Sequence, residues 1–258
     1  MITLPQEELR EFLLNKANQY AKKSFINDDP IGIPHAFSTH QDIEISGLIA
    51  ATLSWGQRKT IISKSQDLMS RMDDSPAEFV QGCTKADLRA FDGFVHRTFQ
   101  SEDIKGLVIA LKKLLTEYES IGQFFKSHMD NEHHLGPAMI QFKNYLLQNG
   151  LPLRASKHFG DPSKGSACKR MVMYSRWMTR SNKEGIDFGI WDIDPAYLSL
   201  PLDVHSGRVA RILGLLRRRQ NDWKAVMELD SSVRMIDPKD PSRLDYALFG
   251  LGVYEGWK

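Results

Sequence analysis

Four stretches of this chain repeat apolar residues with the period of an α-helix, and no stretch sustains the alternation of a half-buried strand. Ile45, Leu48, Ile49, Thr52 and Leu53 fall at offsets 0, 3, 4, 7 and 8, one face of a helix. Ile61, Ser65, Leu68, Met69 and Met72 repeat the pattern, as do Leu107, Leu111, Leu114 and Leu115. Val209, Ile212, Leu213 and Leu216 predict a fourth helix. With no run of alternating β-branched residues, a major sheet is not expected. The 258 residues are 41% hydrophobic and 26% charged, enough apolar material for a buried core and too much for a disordered chain.

The breaks divide the chain. DDPIGIPHAF (28–37) reads as a loop between the first two helices. NGLPLRASKHFGDPSKGSA (149–167), rich in Gly, Pro and Ser, marks the main hinge. SNKEGIDFGIWDIDP (181–195) and IDPKDPSR (236–243) are further connections. This layout predicts one all-α unit over residues 1–258, built as two lobes about that hinge. The apolar run from Ile45 to Trp55 is too short to span a bilayer. The start, MITLPQEELREF, lacks the basic and apolar regions of a signal peptide. Two cysteines, Cys83 and Cys168, are too few for a four-thiolate metal or iron–sulfur site. A cytoplasmic, reducing setting is expected.

Charge is uneven. The net value is only +2, but residues 151–220 carry 13 Lys and Arg against 6 Asp and Glu, whereas residues 1–150 carry 16 against 19. A basic band in a near-neutral chain is either a solvated face or a surface for a polyanion. Inside the band lies PLDVHSGRVARILGL (201–215), where Asp203 immediately precedes a helix whose apolar stripe starts at Val209. Asp203 is an N-cap on this reading. Arg208 and Arg211 lie off the stripe, free for phosphate or solvent.

This segment resembles the one that carries the catalytic aspartate in helix-hairpin-helix base-excision DNA glycosylases. Asp203 falls on that aspartate and His205 on the neighbouring histidine. ISGLIAATLSWGQRKTIISKSQDLM (45–69) is similar to the early helix pair of that superfamily, and DYALFGLGVYEGW is compatible with its closing helix. Nearly the whole chain also resembles an uncharacterised bacterial family known only as a domain of unknown function. The glycosylase resemblance implies a two-lobed helical bundle with residues 160–216 as hairpin and catalytic segment. It implies damaged duplex DNA as partner and no cofactor or metal. It also implies a nucleophilic lysine at a helix start upstream of the aspartate. GDPSKGSACKRMVMYSRWMTR (160–180) offers Lys169 in the opening turn and Lys164 in the turn before. Met171, Val172, Met173, Tyr174, Trp177 and Met178 make the following helix apolar nearly all round. A lysine at its start is expected at the edge of a dry interior, where burial and the helix dipole disfavour the ammonium. Two departures stand out. Only Gly165 remains where the superfamily hairpin usually has two glycines. Lys169 and Asp203 are 34 residues apart, a long gap comparable to that of the archaeal 8-oxoguanine branch.

On that resemblance Lys169 attacks the sugar and Asp203 assists. Gly165, Arg208, Arg211, Arg217 and Arg218 contact phosphate, although the arginine run also reads as a solvated helix end. Trp55, Gln57, Arg58, Phe249 and Trp257 are candidates for base recognition or for ordinary packing. Two rival readings remain. One is a non-catalytic nucleic-acid-binding module on the same fold. The other is a metal-dependent hydrolase built from His128, Asp130, Glu132, His133 and His134 with His35, His40, Asp42 and Glu44, a set that lacks a helix-spaced ligand pair.

Overall fold

The helix that organises the molecule starts at Thr39, whose hydroxyl accepts a hydrogen bond from the N–H of Asp42. This is α2 (His40–Leu53), buried at every residue from Ile43 to Leu53. The sequence predicted one buried face. The helix is buried all round because α3 (Arg58–Ser70), α4 (Pro76–Gly82) and α8 (Lys169–Thr179) pack around it. The computed structural model describes residues 5–130 and 134–257. Among them the only strands are β1 (Val95–His96) and β2 (Phe99–Gln100), a short antiparallel ribbon. The fold is all-α.

Two hydrophobic cores form. The larger contains α2, α3, α4 and α8 together with α5 (Ser101–Tyr118), α6 (Ile121–Ser127) and α7 (Leu135–Gln148). A reciprocal capping box between Gln100 and Asp103 starts α5, which buries Leu107, Leu111, Leu114 and Leu115 as their spacing requires. Phe142 of α7 packs on Phe124 and Phe125 of α6 with ring centroids 5.7 and 5.3 Å away. The smaller core joins the beginning and the end of the chain. Leu13 and Ala17 of α1 (Gln6–Tyr20) meet residues of α9 (Val204–Ile212), α10 (Trp223–Ile236) and α11 (Leu244–Val253). The chain passes from the larger core to the smaller between Leu198 and Leu200. Residues 149–167 run through the larger core, where Leu151, Ala155 and Phe159 are buried.

The fourth predicted helix is shorter than its apolar pattern. α9 ends at Ile212, because Gly214 takes a left-handed φ of 75° and the N–H of Leu215 turns back to the carbonyl of Ala210. Leu216 is still buried, but from a loop. The arginine run 217–219 therefore lies in the connection to α10 and not at a helix end.

A buried ionic network fastens the cores together. Arg176 of α8 and Arg180, the residue that follows its last turn, are 3% and 2% exposed. Arg180 donates to Asp187 at 3.0 Å and to Asp240 at 2.8 Å. Arg176 donates to Asp245 of α11, and the Tyr246 hydroxyl donates to Asp187 at 2.8 Å. Both guanidinium groups lie over the Tyr246 ring, at 4.6 and 5.4 Å. Among the described residues no helix is long and apolar enough to cross a membrane.

Candidate active site

The segment before α8 folds as a tight turn. Asp161 accepts from the N–H and hydroxyl of Ser163, and its carbonyl accepts from the N–H groups of Lys164 and Ser166. Gly165 follows with φ of 80°, a conformation that a side chain disfavours. Its own N–H goes to the carbonyl of Pro162, so the turn uses that donor internally. The Gly165 carbonyl accepts from the N–H of Trp223, which pins the turn to α10. Cys168, buried and with positive φ, turns the chain into α8. Lys169 is the first residue of that helix.

Asp203 reaches the same place from the other core. It is the N-cap of α9, as its position implied. One carboxylate oxygen accepts from the N–H groups of His205 and Ser206, and the Ser206 hydroxyl accepts from the N–H of Asp203. The other oxygen accepts from Lys169 Nζ at 2.8 Å. Burial alone would raise the Asp203 carboxyl. Lys169 and the two backbone donors outweigh that and hold it below the ordinary aspartate value. Lys169 is less enclosed than a place at the edge of a dry interior implies, since its side chain is 44% exposed. It faces a cavity on one side and an open groove on the other.

The cavity encloses about 160 Å³. Lys169, Asp203 and Ser206 stand at one side, and Phe25, Tyr246, Phe249 and Trp177 supply aromatic wall. Asp29 and Asp245 also line it. Burial, opposed mainly by Arg176, pushes the Asp245 carboxyl up to about 6. Burial likewise raises Asp29. The groove, about 560 Å³, shares Ser54, Gly56 and Lys169 with the cavity and is bordered by Lys157 and Arg170. Trp55 stands on its rim, 46% exposed, with the Arg97 guanidinium 4.2 Å from its ring centre.

Of the residues singled out for base recognition, Arg58 and Phe249 line the cavity, with the Arg58 guanidinium 5.2 Å from the Phe249 ring centre. Trp55 lines the groove instead. Gln57 is exposed before α3 and reaches neither. Trp257 stacks on Phe12 at 5.9 Å and belongs to the smaller core. Lys164 is exposed, 3.9 Å from Asp161, and does not line the cavity. His205 is exposed and its ring contacts Arg208 at 3.2 Å.

The arginines divide between surface and scaffold. Arg211 donates to the carbonyls of Arg218 and Arg219 and to Asn221, so it ties down the loop after α9. Arg218 pairs with Asp222. Arg217 is exposed, and Arg208 borders a shallow surface depression with Val204.

The residues weighed for a metal have other partners. Glu44 is buried and accepts from the N–H groups of Ile121 and Gly122 and from the indole of Trp191. Asp42 accepts from the N–H of Ala77 and from Thr39. His35 contacts the Ile186 carbonyl at 2.6 Å, and His40 opens α2. His128 contacts the Phe124 carbonyl, and Asp130 accepts from the N–H of His134. Glu132 and His133 lie outside the described residues. Among the described residues no group of three or more His, Cys, Asp or Glu is arranged to hold a metal ion.

Sequence reading missed Asp29, Arg176, Trp177 and Asp245. The available signal was charge where burial was expected: Arg176 in an apolar helix and Arg180 just after it, and one acidic residue in the otherwise apolar LDYALFGLGV. Buried charges require partners, so these residues had to converge on something.

Neither curated proteins nor solved structures yield a match to this chain. A family model does match, over residues 29–254, and the chain belongs to that family, described as protein of unknown function (DUF2400).

Proposed function

We propose that the protein is a base-excision DNA glycosylase with lyase activity, of the helix-hairpin-helix type. The observation that carries the reading is the Lys169–Asp203 pair, 2.8 Å apart at the neck between a base-sized cavity and a basic groove. A base rotated out of the stack would enter the cavity, leaving its sugar at the neck beside Lys169 and its phosphates along Lys157 and Arg170. The aromatic wall suits a planar ring, and the exposed Trp55 suits stacking in the groove.

In this reading the neutral Lys169 amine attacks the sugar C1′. The glycosidic bond breaks, and the base leaves with its electron pair and takes up a proton. The lysine nitrogen stays bonded to C1′ and, after ring opening, forms the iminium. Loss of a C2′ proton then expels the 3′ phosphate by β-elimination. Lys169 first gives up a proton, and Asp203 is the acceptor within reach. A carboxylate held low is a weak base and a strong electrostatic partner, so its larger contribution is to stabilise the sugar cation as the base departs.

Borohydride trapping tests this on duplexes carrying 8-oxoguanine, uracil or an abasic site. Wild type is expected to form a covalent adduct, Lys169→Gln none, and Asp203→Asn an adduct at a rate lower by about 10²-fold or more. Lys164→Gln is expected to behave as wild type. No adduct on any duplex, with salt-sensitive DNA binding intact, would leave a binding module.

A further inference from the structure

Within the glycosylase reading, on which this inference rests, a DNA strand needs a path on both sides of the neck. The groove supplies one side. A shallow depression of about 540 Å³, lined by Val204, Arg208, Arg211, Ile212, Arg219 and Asn221, lies apart from it. The two share no residue, and the Lys169–Asp203 pair stands between them. Lys169 borders the groove, and Asn221 of the depression donates to the Asp203 carbonyl at 2.8 Å. The lining holds three arginines and no acidic residue. Arg211 is bonded internally, to the carbonyls of Arg218 and Arg219 and to Asn221. Gly207 leaves room for that clasp, since a Cβ there would lie 2.9 Å from both Arg211 and Asn221. Arg208 and Arg219 differ. Among the described residues neither forms an ion pair, whereas their neighbour Arg218 is held by Asp222. Val204, 71% exposed, sets an apolar surface beside them. Arg208 lies about 6 Å beyond Val204 along the α9 axis. The depression therefore reaches outward from Asp203 by about two steps of a DNA strand, which rises about 3.4 Å per nucleotide.

We propose that this depression binds the backbone of the lesion-bearing DNA strand on the side of the neck away from the groove, with Arg208 and Arg219 on its phosphates and Val204 against the adjoining sugar. A guanidinium offers a planar fork of donors that matches two phosphate oxygens. Two of them around a lining without carboxylates concentrate positive potential there. The depression also selects within the basic band. From the arginine run it takes Arg219, whereas Arg217 does not line it and Arg218 is paired with Asp222. It offsets what the turn before α8 withholds. There the Gly165 N–H is bonded to the Pro162 carbonyl, and the N–H groups of Lys164 and Ser166 go to the Asp161 carbonyl. Arginine side chains, not those amides, hold the strand.

Salt titrations of the full-length protein on a duplex carrying a reduced abasic site, which a lysine cannot open, test the proposal apart from lysine chemistry. Arg208→Ala and Arg219→Ala are each expected to weaken binding and lower the salt slope by about 1. Arg208→Lys and Arg219→Lys keep the charge and most of the slope. Lys85→Ala, at an exposed position outside groove and depression, leaves it unchanged. A neutral methylphosphonate then replaces one phosphate at a time on either side of the abasic site. On one side, within about two steps of the site, it is expected to weaken wild-type binding by about fivefold and to have no further effect in the two alanine variants. On the other side, which the groove holds, the loss persists in them. Losses that persist on both sides, wild-type binding indifferent to every position, or a slope lowered as much by Lys85→Ala each overturn the proposal. Trapping on an unreduced abasic duplex without this coupling would sink this inference alone. Coupling without trapping would sink the lyase reading and leave a strand-binding surface. A protein that does not bind DNA sinks both.

Discussion

Asp203 does two jobs that substitution can separate. As an N-cap it satisfies the first donors of α9, and Asn caps about as well as Asp. Asp203→Ala is expected to lower folding stability by about 1 kcal/mol in urea melts, whereas Asp203→Asn stays near wild type. Equal losses in the two variants would mean that the Lys169 ion pair, not the cap, carries the stability. Asp230 offers a clean pH test. It accepts from Ser199 at 2.5 Å and from the N–H of Leu200 at 3.2 Å. Burial, against those bonds and Arg234, pushes its carboxyl up from 3.8 to about 6. The folded chain therefore takes up this proton before the unfolded chain does. Its contribution to stability grows as pH falls from about 6 towards 4 and is lost as pH rises back through about 6. Asp245 acts with the same sign. Thermal melts across that window should show a flatter pH dependence for Asp230→Asn, and an unchanged slope would contradict the assignment. Asp203 was legible as a cap, because an aspartate before an apolar stripe is a local pattern, whereas Lys169 was singled out only by what the glycosylase resemblance implies. Asp29 and Trp177 were not legible, because their place in the cavity lining depends on neighbours distant in the chain.

The helices at α3 and α5 were legible because one apolar face of each meets one core, whereas α10, with the same kind of face, was not picked out. The pattern misled at α9, which Leu213 caps, and Leu216 is buried from the loop that follows Gly214. An apolar residue reports burial, and it reports a helix only while the backbone keeps its turn. Glycines separate these effects. At Gly165 a Cβ would meet nothing within 4 Å, so only the left-handed φ resists Gly165→Ala, by about 1–2 kcal/mol. At Gly106, in the middle of α5, a Cβ would lie 2.4 Å from the Gly150 carbonyl oxygen. Gly106→Ala is expected to be the more destabilising in denaturant melts, because a backbone must move. A milder effect than that of Gly165→Ala would show that residues 149–152 yield easily.

The two cores are joined where Arg176 and Arg180 meet Asp187, Asp240 and Asp245. Breaking one side of a buried ion network leaves uncompensated charge. Arg180→Met is expected to lower stability by about 3–5 kcal/mol by calorimetry. A loss under about 1 kcal/mol would mean that water reaches the carboxylates. On the outer surface, the proposed glycosylase reading predicts that Lys157→Ala weakens DNA binding and reduces its salt slope by about 1. A slope that does not move would take the groove out of the phosphate path. The basic band in residues 151–220 was visible by counting, but its division into exposed and internally bonded arginines was not. Arg211 and Arg218 are partly tied into their own loop. Periodicity, capping residues and turn glycines act within a few residues, so the order of letters alone determined that the chain is helical, where four apolar stripes run, and that Asp203 caps one of those helices. Only the tertiary structure decided that α1 closes on α11, that Lys169 and Asp203 meet across two cores, and that a cavity lies beside them. Those contacts join residues far apart along the chain, and they depend on how whole helices bury their faces against one another.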